Sequence, residues 1–125
     1  MREIKFRAWD KQFNKMSSTF KLTALIVGRI SKLEFEQAEI MQYTGLKDTN
    51  GVEIYEGDIL KPNRNSFINA QVFYDLKQCA FKLYHRENLP EYTTRLTAFV
   101  LSHNSILQND LKIIGNIYEN KELLK

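Results

Sequence analysis

Hydrophobic and polar residues alternate with a period of two over most of this chain, the repeat of a β-strand with one covered face. Residues 3–10 set the pattern. Ile4, Phe6 and Ala8 fall on one face, while Lys5 and Arg7 fall on the other with Trp9 in their phase. The spacing predicts a half-buried strand whose even-numbered residues enter the core. Asp10 to Lys15 supplies a polar turn, and Met16 onward returns as a hairpin partner. Phe20, Leu22, Ala24 and Ile26 keep the period until Gly28, so a strand is preferred there to a short helix. Leu33 and Phe35 alternate with Glu34 and Glu36 and run on towards Ile40, Met41 and Tyr43.

Turn residues punctuate the middle of the chain. Within Thr44 to Gly51, Asn50-Gly51 is the dipeptide of a tight turn with positive φ. Val52 and Ile54 resume the strand pattern, Glu56-Gly57-Asp58 interrupts it, and Ile59-Leu60 follow. Glycine inside such a pattern predicts a bulge or bend at Gly57. Pro62 to Ser66 is a surface loop and the natural joint between subdomains 1–61 and 62–125 sharing one core. Ala70 to Tyr74 and Ala80 to His85 read as strands around an Asp75 to Gln78 turn. Glu87 to Glu91 is a loop, Leu96 to Leu101 a strand, and Leu111 to Tyr118 a last strand broken near Gly115-Asn116. Glu119 to Leu124 forms one helical turn. Short, closely spaced strands make the fold class mainly β (α+β): a small twisted sheet with SH3-like barrel character.

Composition narrows the class without naming a function. With 125 residues, 43% hydrophobic and 26% charged, the chain is a single globular domain able to bury its own core. Its one cysteine, Cys79, excludes an internal disulfide and reads as a small apolar residue buried in a strand. The first residues lack the apolar run of a signal peptide, and no stretch approaches the roughly 18 apolar residues of a membrane span. The expected location is the cytoplasm, without a membrane partner.

Net charge is only +3, yet the charges are sorted. Residues 1–21 carry the bases Arg2, Lys5, Arg7, Lys11, Lys15 and Lys21 against Glu3 and Asp10. Residues 34–58 carry Glu34, Glu36, Glu39, Asp48, Glu53, Glu56 and Asp58 against Lys47. Mutual neutralisation, within the fold or between subunits, is the plainer meaning of this sorting. A basic face meeting phosphates is the sharper one.

The residues of common catalytic sets are not arranged for chemistry. One Cys and two distant His, His85 and His103, cannot build a tetrahedral N/S metal site without carboxylates. No nucleophile elbow or phosphate-cradling glycine loop occurs, and Glu56 with Asp58 reads as an exposed turn in which Asp58 bonds local amides. No cofactor is expected. Nucleic acid is the alternative partner: a small barrel could bind a single strand through Lys5, Arg7, Trp9, Lys82 and Tyr84, bases interleaved with rings off the core phase. Cross-strand packing is the commoner use of such rings.

Three stretches together resemble the YopX family of phage and prophage proteins. They are Ile4 to Asp10 with Lys15-Met16, Met41 to Ile59, and Ile114 to Asn120 with Glu122 to Leu124. Lys121 stands where the family usually has proline, and residues 62–101 match only in strand character, with Asn69-Ala70 in place of a glycine-containing turn. The resemblance implies a largely β, phage-encoded protein with no established activity and no catalytic residues to carry over. Its signature positions Gly45, Gly51, Gly57, Asp58, Gly115 and Asn116 read as turn and bend residues of a scaffold. The expectation is a non-enzymatic accessory protein acting through protein contacts or as a homo-oligomer.

Overall fold

The computed structural model describes residues 3–21, 38–61, 69–88 and 94–124, with backbone alone at 85–88, 94–99 and 124. Among the described residues, ten antiparallel strands form two sheets. The first contains β1 (Lys5–Asp10), β2 (Lys15–Met16), β3 (Phe20–Lys21), β4 (Ala38–Lys47) and β5 (Glu53–Tyr55), in the order β2-β1-β4-β5 with β3 also on β1. The second contains β6 (Asp58–Lys61), β7 (Ala70–Asp75), β8 (Ala80–Asn88), β9 (Thr94–Val100) and β10 (Lys112–Asn116), ordered β10-β6-β7-β8-β9. The first sheet curls into a half-barrel and the second packs with it, a small β-rich fold.

The sheets change over at Glu56-Gly57, between β5 and β6, where the alternation broke. Gly57 has φ +83°, a left-handed conformation that favours glycine. Its N–H donates to the Val72 carbonyl and its own carbonyl accepts from the Ile117 N–H. A Cβ there would stand 3.3 Å from Met41 Sδ and 3.4 Å from Ile117 Cγ1. One residue thus turns the chain and is sandwiched between β4 and the segment after β10.

The main core lies on the second sheet. Ile54 from β5 joins Leu60, Ala70, Val72, Leu83, Leu101, Ile106 and Leu111, with Leu46, Phe81 and Ile113 packed against them. Ile106 comes from a helix, α1 (His103–Asn109), that the strand pattern did not predict. A reciprocal Ser102–Ser105 capping box starts this helix, and Asp110 at φ +48° ends it. Its sequence signal was the Ser-x-x-Ser spacing ahead of Ile106. The predicted final turn is a 3-10 turn, Lys121–Leu124.

Three expectations are corrected. The inward face of β1 is the odd-numbered one: Trp9 is buried, and the Lys5 and Arg7 side chains are each 14% exposed, whereas Ile4 is 42% exposed. Phe6 lies between these extremes and stacks on Phe20. The cause is Asp58 of the second sheet and Tyr118 on its flank, together with the Tyr43 and Tyr55 rings of β4 and β5, which all meet this face of β1. Cys79 is exposed, with φ +50°, at the end of the four-residue turn joining β7 to β8, one residue before the strand begins. Asp58 bonds a local amide as expected, but it is 2% exposed because Arg7 accompanies it inward.

The predicted strand through Leu22, Ala24 and Ile26, its end at Gly28, the Leu33 to Glu36 alternation and the Pro62 to Ser66 joint lie outside the described residues. So do Leu89, Pro90 and Glu91 of the predicted loop.

Candidate functional site

The five residues of the nucleic-acid reading fall on two different sheets, in enclosed settings. Lys5 pairs with Glu53 and with Glu3, and its Nζ lies 5.0 Å from the Tyr43 ring centroid. The hydrogen bond it donates to the Glu53 carboxylate holds the Lys5 ammonium above its ordinary pKa, against the desolvation that lowers it. Arg7 Nη2 donates to Asp58 Oδ1 at 2.6 Å, and the guanidinium lies 4.8 Å from the Tyr55 centroid. Trp9 stacks on Tyr118 with centroids 5.5 Å apart. On β8, Lys82 is 8% exposed and bound to Asp75 at 2.7 Å, and Tyr84 packs edge-on against Phe73. The cations are neutralised and the rings are committed to protein neighbours, so these residues form no open stacking platform. The side chains of His85 and Arg86 lie outside the described ones.

The β1 constellation fastens the sheets together. Asp58 Oδ2 accepts the Tyr55 N–H at 2.8 Å while Oδ1 receives Arg7, so one carboxylate joins β5, β6 and β1. Burial raises the pKa of Asp58, with Arg7 and the Tyr55 amide pulling it back. Burial likewise raises Tyr43, Tyr55 and Tyr118. Arg7 Nε and the Tyr55 hydroxyl are buried without a hydrogen-bond partner among the described residues.

The signature turn builds an accessible concavity. Strand β4 runs through Thr44, whose hydroxyl donates to the Ile54 carbonyl and accepts from the Leu46 N–H. Gly45 and Gly51 have φ +86° and +80°, and a Cβ on either would meet nothing within 4 Å. Asp48 organises the turn between them. Its Oδ1 accepts from Asn50 and Val52 N–H at 2.9 Å, and its Oδ2 accepts from Ile113 N–H at 3.0 Å, tying the turn to β10. Thr49 adds two bonds to the Leu111 carbonyl.

Against this turn stands α1, and between them lies an open groove of about 390 Å³. Leu46, buried Ile106 and Leu107 supply its apolar surface, and Leu107 is 58% exposed. Lys47, Thr49 and His103 supply polar groups. The signature was read as a turn alone, and the groove was missed because its other wall is the unpredicted helix. The remaining signature residues brace the chain's end: Asn116 Oδ1 accepts from Tyr118 and Glu119 N–H, and Asn120 Oδ1 accepts from Asn116 N–H. A Cβ on Gly115 would stand 2.5 Å from that Asn120 oxygen, so the bulge at Ile113/Gly115 needs a residue without a side chain.

Among the described residues, no three or more His, Cys, Asp or Glu converge as metal ligands, and no helix is long and apolar enough to cross a membrane. The groove is set in a two-sheet β scaffold. The family described as YopX protein is matched over residues 5–125, and the chain belongs to that family. It is similar to the crystal structure of protein EF1440 from Enterococcus faecalis, with 27% identity, 98% of each chain covered and a TM-score of 0.61. No curated protein matches the sequence.

Proposed function

We propose that this YopX-family chain is a phage- or prophage-derived accessory protein that acts without catalysis, by binding another protein. The observation that carries this reading is the groove, where Leu107 leaves most of its side chain in solvent beside the apolar Leu46 and Ile106. An exposed apolar side chain in a concave, polar-rimmed setting suits a protein contact. The groove walls are held by backbone bonds and by the Asp48 clamp, so the surface is formed before a partner arrives. The family resemblance supports the phage origin, and the bacterial cytoplasm is the corresponding place of action.

Affinity capture from phage-infected host lysate with three baits tests this: the native chain, Leu107→Asp, and Leu76→Asp as a control. Leu76 is 82% exposed, at the β7–β8 turn away from the groove lining. A partner retained by the native chain and the control but lost with Leu107→Asp supports the groove. Equal capture by all three baits, or no retained partner together with a strict monomer by light scattering, overturns it.

A further inference from the structure

Charge at the groove specifies the chemistry of the occupant. Asp48 is the acid in the lining, but it is 6% exposed and its carboxylate already accepts three backbone N–H bonds. Glu53 stands opposite Lys47 in the β4–β5 ladder, and Lys5 binds it from β1. Lys47 and His103 therefore face solvent at the groove without an acidic partner among the described residues, beside an apolar surface. Such a site is complementary to negative charge carried next to an apolar side chain. A volume of about 390 Å³ accommodates a few side chains of an extended segment. Tyr43, the aromatic residue in the lining, is 5% exposed, which removes the stacking platform a nucleic-acid strand would use.

We infer that the groove takes an acidic segment of a partner protein, with an apolar side chain on Leu46, Ile106 and Leu107 and a neighbouring carboxylate between Lys47 and His103. This rests on the protein-contact reading above and adds the sign of the partner's charge. Binding weakens with salt, because the Lys47 ammonium is at the surface.

The test titrates the isotope-labelled full chain, followed by backbone amide NMR, with three short blocked peptides: alternating aspartate and leucine, alternating lysine and leucine, and alternating aspartate and serine. Expected are shifts at Gly45, Lys47, Gly51 and His103 with the aspartate–leucine peptide. Affinity should be about tenfold weaker for either other peptide and for the folded variant Lys47→Glu. Equal binding of the lysine–leucine peptide overturns the charge assignment while the Leu107→Asp capture result leaves the contact reading standing. Shifts confined to surfaces away from the groove, or none at millimolar peptide, also overturn it. Groove shifts produced by a single-stranded oligonucleotide in preference to the peptides would assign Lys47 to phosphates instead. A concentration-dependent dimer abolished by Leu107→Asp would make a second copy the occupant.

Discussion

Arg7 and Asp58 are 51 positions apart in sequence and 2.6 Å apart in the fold, joining the central strand β1 of one sheet to the first residue of the other. The pair is enclosed, with the Arg7 side chain 14% exposed and that of Asp58 2% exposed. Removing one member leaves the other charge buried. Asp58→Asn should cost about 3–5 kcal/mol, and adding Arg7→Met to it should return a large part of that loss. Urea unfolding of the two single variants and the double variant measures both effects. Additive losses in the double variant would show that the two residues act separately.

The Asp48 clamp can be separated from the groove's chemistry. Asp48→Ala frees three amides, at Asn50, Val52 and Ile113, and should destabilise the protein by roughly 2–4 kcal/mol. Because Ile113 is on β10, hydrogen exchange should quicken there as well as in the turn. Faster exchange confined to residues 48–52 would mean that the clamp does not reach the second sheet.

Gly57→Ala combines a left-handed φ with close neighbours on two sides. The conformation alone costs about 1–2 kcal/mol, and Met41 Sδ at 3.3 Å must give way further. A thermal melt should show a clear loss for Gly57→Ala and a smaller one for Gly51→Ala, whose φ is +80° but whose added Cβ meets nothing. Equal losses would remove the packing part of this account.

Acid stability depends on Asp75. Its hydrogen bond with Lys82, helped by the Lys77 amide, holds the carboxyl below the ordinary aspartate pKa of about 4. A folded pKa below the unfolded one gives stability that is present above about pH 4 and lost as pH falls through the folded value. Native protein should therefore exceed Asp75→Asn in urea midpoint at pH 6, with the gap closing below pH 4. A gap that stays constant down to pH 2 would show that this carboxyl does not titrate as described.

The resemblance was legible from residues at both ends and through Met41 to Ile59, and the family match spans nearly the whole chain. Much of the strand pattern was equally legible. Period-two alternation marks β1, β4, β7 and β8, and Asn50-Gly51 forms the turn it announced. The local bonds of Asp58 and Asn116 could also be anticipated, because short polar side chains beside a bend reach nearby amides. The Ser102–Ser105 capping box was written in the chain too, but a two-residue signal is easily lost between stronger strand patterns.

Alternation by itself fixed that β1 is a strand with two unlike faces; it did not fix which face the rest of the molecule would cover. Tertiary structure brought Asp58 to Arg7, Tyr118 to Trp9, and Tyr43 and Tyr55 beneath the two cations, and so turned the charged face of β1 inward. It also set α1 against the turn that follows Thr44, making a groove from segments more than fifty residues apart. The physical reason is the same in both cases. Local sequence sets the conformation of a segment, whereas the sign and shape of the surface it meets come from residues distant in the chain.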